Sequence, residues 1–258
     1  MMQWMILFRK EILESWRNFK WIWVPLVFIL LSIIDPLSTY YLPQILKATG
    51  GLPEGATINI PTPPSGEIFM MSISQLNTIG LLVIALISMG TIAGERKSGV
   101  AELILVKPVS YFSYVTAKWA AHVFLVLVAL LLGLLSSWYY VNLLFGEVSF
   151  ASFGSTFCFY GLWIALVLAI SLFMNTLSKS PGLVLFFTMG SLITLSTVSR
   201  IFSHLIERSP SLMTGYLREM VNTGNIGHDL WGAAGITAGS IILLLFFATF
   251  TLKRKEIA

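Results

Sequence analysis

Six long apolar segments constrain this chain more than any other feature of its 258 residues. A helix needs about 20 mostly apolar residues to cross the hydrocarbon core of a bilayer. Lipid offers no hydrogen-bond partners to backbone amides and carbonyls, so each segment must satisfy its own backbone as a helix. The sequence therefore predicts an all-α membrane protein, with a single transmembrane domain over 1–258. The predicted spans are 21–41, 68–93, 119–140, 153–174, 182–199 and 230–252.

The distribution of basic residues predicts how the spans are oriented. Charged residues make up 11% of the chain, against roughly 25% in a soluble domain. Twelve of the 16 Lys and Arg residues lie in 1–20, 94–118, 175–181 and 253–258. Basic residues favour the cytoplasmic side of a membrane. We therefore expect a multi-pass protein of the cytoplasmic (cell) membrane that has both termini in the cytoplasm, contacts membrane lipids and has no nucleic-acid partner.

The segment 1–20 has the pattern of an amphipathic helix. At about 100° per residue, its apolar side chains fall on one face and its charged side chains lie away from that face. The apolar face carries Trp4, Phe8, Ile12, Trp16 and Phe19. Such a helix rests in the membrane interface, with its aromatic rings at the depth of the lipid headgroups. The alternative is an ordinary cytoplasmic extension of the first span.

A short cytoplasmic segment between the second and third spans carries the strongest functional pattern. The stretch 94–118 begins with charged residues and continues with a Leu-rich turn up to Pro108. Proline lacks an amide proton and disfavours helix at the preceding residue, so it ends the turn. The pattern predicts a short helix, apolar on one side and charged on the other, that fits a groove in a soluble partner. A lipid-facing surface helix without a partner is an equal alternative from the residues alone.

This segment also has a recognisable order of residues. It reads Glu95-Arg96-Lys97-Ser98-Gly99, then Glu102-Leu103-Ile104-Leu105, then Lys107-Pro108-Val109-Ser110, with Lys118 opening the next span. The order resembles the signature of ABC-2-type permeases, the membrane-spanning subunits of bacterial ABC exporters. The whole chain is similar to that family in arrangement, with an N-terminal elbow helix, six spans and two short helices before the sixth span.

The resemblance implies that this chain works with other polypeptides. The segment 99–107 would be the coupling helix that docks on a cytoplasmic ABC ATPase, present in two copies, beside the elbow helix. ATP and Mg would bind that ATPase, since this chain has no G-x-x-x-x-G-K-[ST] motif and is expected to be a transporter subunit rather than an enzyme. A second permease, identical or homologous, would complete the pore. The candidate coupling residues are Glu95, Arg96, Gly99, Glu102, Leu103, Lys107 and Pro108.

The charged residues of this segment have two interpretations. Glu95 and Glu102 suit basic residues of the ATPase, whereas Arg96 suits acidic residues of the ATPase or anionic lipid headgroups. Lys97 is interpreted as a topological anchor. The alternative is that all four charges only anchor the segment at the cytoplasmic surface.

Polar and small residues within the spans give further predictions. Asn77 and Thr194 are candidates for lining a transport pathway, because buried polar groups in membranes often do so. Two G-x-x-x-G patterns, at 90–94 and 235–239, predict close packing of helices, within the protomer by default and between protomers as the alternative. No pair of His or Cys residues has ligand spacing, so no metal site is predicted.

The outer segment 200–229 is predicted to form a helical hairpin on the extracellular side. It contains two stretches of helical composition, 201–207 and 212–221, separated by Ser209-Pro210. Both are expected to be short helices that lie in the outer interface or dip into the bilayer.

The substrate and the rival functions stay open from the sequence. No span has a central carboxylate, which favours an amphipathic substrate such as a drug, a peptide or a lipid over a bare ion. A stand-alone secondary transporter and a non-transporting ABC-linked membrane sensor are the alternatives. A membrane-embedded hydrolase is disfavoured, because neither H-E-x-x-H nor G-x-S-x-G occurs.

Replacing Glu102 and Leu103 together with alanine should uncouple ATP hydrolysis from transport, because both residues are expected to contact the ATPase. The measurement is the amount of substrate moved per ATP hydrolysed in proteoliposomes that contain the permease and its ATPase. Thermal unfolding in detergent checks that the double variant still folds. A ratio equal to that of the wild type would remove the assignment of 99–107 as the coupling helix.

Overall fold

The fold consists of helices alone in the residues that a computed structural model describes, which are 2–48, 62–105, 109–204 and 206–257. Within those ranges, six helical segments are long and apolar enough to cross a membrane. The prediction of an all-α protein with six spans is therefore confirmed. The spans are Lys20–Leu46, Ser65–Lys97, Tyr111–Leu144, Phe150–Leu177, Pro181–Ile201 and His228–Lys255.

The second span is assembled from several helices, whereas each of the other spans is one helix. The α-helices are α1 (Met2–Arg17), α2 (Lys20–Ala48), α3 (Ser65–Gln75), α4 (Leu81–Ser88), α5 (Ala93–Lys97), α6 (Val100–Leu105), α7 (Tyr111–Leu144), α8 (Phe150–Leu177), α9 (Pro181–Ile201), α10 (Met213–Thr223) and α11 (His228–Ile257). A π-helical turn (Leu76–Gly80) joins α3 to α4, and α3, α4 and α5 together make the second span. A 3-10 turn (Pro210–Leu212) precedes α10.

Local sequence accounts for where several helices begin. Ser110 and Ser149 precede α7 and α8, and their side-chain oxygens accept hydrogen bonds from the amides of Ser113 and Ser152, both at 3.1 Å. Each bond satisfies one of the amides that the first turn of a helix leaves unpaired. Pro181 opens α9, where its missing amide proton breaks no helical hydrogen bond.

The bundle is built around α8, because 72% of its most apolar stretch is buried inside the chain. α7 packs beside α8 and also contacts α1 and α2. The first and fifth spans, α2 and α9, are the least covered, with 28% and 22% of the corresponding stretches buried. Their uncovered surfaces carry large apolar side chains and therefore suit lipid or another membrane helix.

Close helix approach does not occur at the two G-x-x-x-G patterns. A Cβ added at Gly90, Gly94, Gly235 or Gly239 would meet no other described part of the chain within 4 Å. The predicted packing of these patterns inside the protomer is therefore wrong. Spacing alone does not reveal which face of a helix meets a neighbour.

Two spans approach closely instead at Gly133 of α7. A Cβ there would lie 2.9 Å from Ser32 Oγ and 3.0 Å from the carbonyl oxygen of Phe28, both on α2. Real Cβ atoms essentially never come closer than 3.0 Å to another heavy atom. The absence of a side chain at Gly133 therefore sets the distance between the first and third spans.

The outer segment contains one α-helix rather than the predicted pair. α10 matches the second predicted stretch, and Gly224 ends it at φ 75°, a left-handed conformation that favours glycine. Among the described residues of 201–207, the positions after Ile201 form turns and irregular chain, so the first predicted helix is not formed.

Gly133→Ala should destabilise the chain, because the added methyl group meets backbone atoms of α2 that cannot rotate away. Overpacking of this kind typically costs about 1–3 kcal/mol, whereas Gly→Ala in an unobstructed helix gains up to about 1 kcal/mol. We expect the midpoint of thermal unfolding in detergent to fall for Gly133→Ala. The midpoint should stay level or rise for the control Gly239→Ala. A Gly133→Ala variant as stable as the wild type would contradict the close approach of α2 and α7.

Candidate functional site

The N-terminal helix α1 lies against α7. Trp4 Nε1 donates a hydrogen bond of 3.1 Å to Thr116 Oγ1. The ring of Phe8 stacks on that of Trp4 with centroids 5.2 Å apart, and it lies 6.4 Å from the ring of Phe124. Aromatic pairs at these separations are favourable beyond the area they bury. The first half of α1 is therefore held by protein contacts.

The side of α1 that faces the chain differs from the predicted apolar face. It carries Trp4, Leu7, Phe8, Glu11 and Ser15. Ile12 is half-buried, whereas Trp16 and Phe19 are 63% and 67% exposed. The predicted single face is therefore divided: its beginning packs on α7, and its last aromatic side chains point away from the chain, where a membrane interface suits them.

A buried cluster of charges connects α1 to α5 and α7. Lys118 of α7 lies at its centre, with Nζ 2.7 Å from Glu11 Oε1 and 2.9 Å from Glu95 Oε1. Lys10 Nζ approaches the same carboxylates, at 3.0 Å from Glu11 and 2.5 Å from Glu95. The Tyr114 hydroxyl donates a hydrogen bond of 2.5 Å to the other oxygen of Glu95. One set of ion pairs thus joins α1 to α5 and α7, both of which lie far from it in sequence.

Burial makes this cluster a strong constraint on the three helices. The side chains of Lys118, Glu11 and Glu95 are only 3%, 6% and 11% exposed. Taking a charge out of water is costly, and only well-placed partners offset that cost. The ammonium groups of Lys10 and Lys118 face the buried carboxylates of Glu11 and Glu95, and Lys10 also pairs with the more exposed Glu14. Removal of one member would leave an uncompensated buried charge.

The acidic side chains of this region are neutralised by lysine. Oxygens of Glu11, Glu14 and Glu95 all lie within 4.8 Å of one another, a spacing that a metal ion would also require. Lys10 Nζ, however, contacts all three carboxylates, since it also lies 3.0 Å from Glu14 Oε2. Lys118 adds a second ammonium group to two of them. This chemistry defines an ion-pair cluster.

The ionisation of Glu11 and Lys10 is set by the same contacts. Burial alone would raise the pKa of the Glu11 carboxyl, but the charges of Lys118 and Lys10 outweigh it and hold this pKa below the ordinary 4.5. Burial lowers the pKa of Lys10, but Glu11 and Glu95 outweigh burial and raise it above its ordinary value. Because the pKa of Glu11 is lower in the folded chain, its stabilising contribution is complete above pH 4.5. That contribution is lost as pH falls through the folded-state pKa.

A buried amide holds the break in the second span. Residues 89–92 form a turn between α4 and α5. The fully buried Asn175, near the end of α8, accepts hydrogen bonds from the amides of Ile92 and Ala93 at 3.1 and 3.0 Å. Its Nδ2 donates to two carbonyls, one in α4 at 3.0 Å and one in α8 at 2.9 Å. Irregular backbone within a membrane is tolerated only where the protein supplies such partners.

Arg96 is a second connection between α5 and α8. Its Nη1 donates a hydrogen bond of 3.1 Å to the carbonyl of Thr176, and the residue is 7% exposed. Glu95 and Arg96 thus both have partners inside the chain. This favours a role in positioning α5 over the direct contact with an ATPase that we expected of them.

The short helix α6 follows directly from α5. Gly99 separates the two helices at φ 77°, a left-handed conformation that favours glycine. Leu103 of α6 is 73% exposed, so a large apolar side chain faces outward between two spans. Of the other candidate coupling residues, Glu102 lies within α6, and Lys107 and Pro108 lie outside the described residues.

The two predicted pathway residues lie apart. Asn77 Oδ1 accepts a hydrogen bond of 3.0 Å from Trp163 Nε1, and Asn77 lines a cavity of about 590 Å³ beside α3, here called the α3 cavity. Thr194 lies exposed on α9, in a separate groove that also contains Gly190 and Val198. The described part of one protomer does not bring Asn77 and Thr194 into a common cavity.

Four residues of the site were not identified from the sequence: Lys10, Glu11, Tyr114 and Asn175. Glu11 falls within the buried stripe of α1, at helical spacing from Phe8, and a charge in that stripe was the available signal. Asn175 is an isolated amide near the end of an apolar segment, where buried polar groups often have a specific role. Tyr114 gave no signal, because its partner Glu95 is 19 residues away and only the fold brings the two together.

Similarity to known proteins agrees with this architecture. Residues 5–215 match the model of the ABC-2 family transporter proteins, and the chain belongs to this family. Such proteins are membrane components of ABC transporters and typically work with an ABC ATPase. The predicted resemblance to ABC-2-type permeases is therefore confirmed. The chain is a multi-pass membrane protein with an ABC permease role.

One relative extends the similarity to the whole chain. The uncharacterized transmembrane protein YxlG of Bacillus subtilis (strain 168) is 28% identical over 252 residues, which cover 98% of each chain. The similarity therefore includes α10 and α11, which lie largely beyond the residues matched by the family model.

Lys118→Met should destabilise the chain by about 3–5 kcal/mol, because it leaves two buried carboxylates with one ammonium group between them. Adding Glu11→Gln should recover part of the loss, since Lys10 and Glu95 can then pair. Chemical unfolding in detergent of the two single variants and the double variant measures the coupling. The control is Lys97→Met, an exposed lysine of α5. Equal stabilities of Lys118→Met and Lys97→Met would contradict a structural role for the cluster.

Proposed function

We propose that this chain is the permease subunit of an ABC exporter, which moves an amphipathic substrate such as a drug, a peptide or a lipid out of the cell. ATP hydrolysis on two copies of a separate cytoplasmic ATPase drives the transport. The observation that carries the proposal is the exposed Leu103 on α6, between the second and third spans of an ABC-2 family chain. Leu103 is 73% exposed on a short charged helix between two spans, a placement that suits docking into an apolar groove of a partner.

Docking on the ATPase is assigned to one side of α6. Ala101 is 1% exposed and faces the chain, whereas Leu103 faces away from it. Leu103 would enter an apolar groove of the ATPase, in the manner of a helix that lays apolar anchors into a groove. Glu102 beside it, and Lys107 and Pro108 after it, complete the proposed coupling segment.

The contacts around α5 explain how a movement of the ATPase would reach the spans. The ion pairs of Glu95 join α5 to α1 and α7, and the hydrogen bonds of Asn175 and Arg96 join it to α8. A displacement of α6 would therefore move α5 together with the elbow helix α1 rather than be absorbed by a flexible loop. Stiff elements of this kind transmit motion because packed interfaces shift between discrete arrangements.

A second permease, identical or homologous, is assigned to the surfaces of α2 and α9. These helices have the smallest buried fractions of the six spans in the described part of the chain. Large apolar side chains are exposed along α9, including Phe186 at 69% and Ile193 at 61%. Thr194 lies on the same helix, and the pathway formed between two protomers would then bring Thr194 and Asn77 to a common space.

The proposed orientation places α1, α6 and the end of the second span that carries α5 on the cytoplasmic side. Twelve of the 16 Lys and Arg residues lie in the segments on that side, as the positive-inside rule requires. Both termini are then cytoplasmic, and the α3 cavity and α10 lie on the outer side of the membrane. This arrangement presents α6 to a soluble ATPase.

The test is to purify the tagged chain from native membranes in mild detergent and to measure what accompanies it. We expect one ATPase polypeptide per permease. Leu103→Ser should reduce that recovery about tenfold or more, since loss of a buried leucine contact weakens binding by roughly 1.5–3 kcal/mol. The matched control is Leu143→Ser, which makes the same substitution at another exposed leucine. Leu143 is 63% exposed and lies at the end of α7 far from α6. Recovery of the wild-type chain alone in several detergents would contradict the proposed function.

A further inference from the structure

The α3 cavity is polar in a part of the chain where apolar surface is expected. Its volume is about 590 Å³, within the range of roughly 300–1,000 Å³ that holds small molecules. It lies between α2, the second span, the end of α9 and α10. Two methionines contribute its apolar wall, and the polar groups used below are Asp35, Gln75, Asn77, Arg200 and Arg218.

The cavity extends inward from the end of the bundle that carries α10. Asp35 is 15 residues from the start of α2, or about 22 Å along the helix at about 1.5 Å per residue. Asn77 is 12 residues from the start of α3, which places it about 18 Å along the second span. The first span, Lys20–Leu46, extends past the predicted 21–41, so Asp35 lies near its middle and the prediction that no span has a central carboxylate is wrong for this span. Ionisable and amide side chains inside a bilayer are costly and mark functional sites.

The π-helical turn of the second span lies at this depth. It covers Leu76–Gly80, and both Asn77 and Thr78 line the cavity. A π-helical turn is a one-residue irregularity that occurs frequently at functional sites. Thr78 bonds back to the carbonyl of Ser74 at 2.7 Å, so its hydroxyl proton is used within the helix.

Asn77 directs hydrogen-bond donors into the cavity. The Trp163 indole is a donor only, so the oxygen of the Asn77 amide must face it, as the 3.0 Å contact shows. The NH₂ group of Asn77 then points the other way. It has no hydrogen-bond partner among the residues that the structure describes, so it is available to an acceptor in the cavity.

The charges at the cavity favour an anion. Arg200 has no ion-pair partner in the described ranges, and Arg218 Nη1 lies 3.8 Å from Glu67 Oε2, which is too far for a hydrogen bond. Both guanidinium groups therefore have unused donors at the cavity, where Asp35 is the one lining carboxylate among the described residues and Glu67 forms only a distant ion pair with Arg218 from outside the lining. Guanidinium groups bind phosphate with two parallel hydrogen bonds, which adds geometric specificity to charge.

We propose that the α3 cavity binds the phosphate-bearing headgroup of an amphiphile. Arg200 and Arg218 bind the phosphate, the NH₂ group of Asn77 and the amide of Gln75 bind neutral oxygens of the headgroup, and Asp35 accepts from its hydroxyl or amine groups. The methionines contact the apolar part. The inference rests on the proposed function, because it names the substrate class of the same export pathway.

The test measures binding of a soluble short-chain lipid, dihexanoyl-phosphatidylglycerol, to the full-length chain in mild detergent by titration calorimetry. This probe has a phosphate and two hydroxyl groups. We expect the double variant Arg200→Gln/Arg218→Gln to bind it at least about tenfold more weakly, since bonds between charged groups are the strong ones. Asn77→Leu, which changes no charge, should also weaken binding.

The matched control is Arg208→Gln. Arg208 is 58% exposed, lies in the same outer segment, has a distant ion pair with Asp229 at 3.8 Å and does not line the cavity. Arg208→Gln should bind the probe as the wild type does. Wild-type affinity in the Arg200→Gln/Arg218→Gln variant, or an equal loss in Arg208→Gln, would overturn the proposal.

A second arm distinguishes a lipid headgroup from free phosphate. Inorganic phosphate at the same concentration should displace the probe poorly, because it lacks the groups that contact the amides and methionines. Equal displacement by inorganic phosphate would overturn the headgroup assignment. Co-purification of an ATPase with the wild-type chain is scored separately. An ATPase without probe binding therefore rejects only this inference, and probe binding without an ATPase rejects only the proposed function.

Discussion

The buried charges around Lys118 are the interaction on which the arrangement of α1, α5 and α7 depends. Glu11, Glu95 and Lys10 reach the same point from two other helices, and none of these charges is stable there without the others. An isolated buried ion pair contributes little to stability compared with apolar packing, but it strongly penalises arrangements that separate its members. The cluster therefore fixes the relative positions of α1, α5 and α7 rather than simply adding stability.

The second span shows how a membrane helix can be irregular without exposing its backbone to lipid. Its turn at 89–92 is satisfied by Asn175, and the helix restarts as α5 with the orientation that Glu95 and Arg96 need. The turn at 89–92 separates α5 from α4, and Gly99 separates α6 from α5. These two interruptions leave α6, with its exposed Leu103, as a short helix of its own.

The α3 cavity and the ion-pair cluster each lie beside an interruption of the second span. The π-helical turn lies at the α3 cavity, and the turn before α5 lies at the ion-pair cluster, with α4 between them. In the proposed exporter, a movement of α5 imposed by the ATPase would reach the cavity through α4, which is a short stiff helix. Helix α4 alone would then connect ATP hydrolysis to the headgroup site.

The sequence by itself determined the six spans, the helical class and the family, because lipid imposes apolar length and internal hydrogen bonding on every crossing segment. It also located the segment 94–118. Only the tertiary structure decided which faces meet. It placed the close contact at Gly133 rather than at the G-x-x-x-G patterns, turned Glu95 inward and brought Glu11 to Lys118 across 107 residues. Contacts between distant residues depend on helix rotation and packing, which periodicity within one segment does not specify.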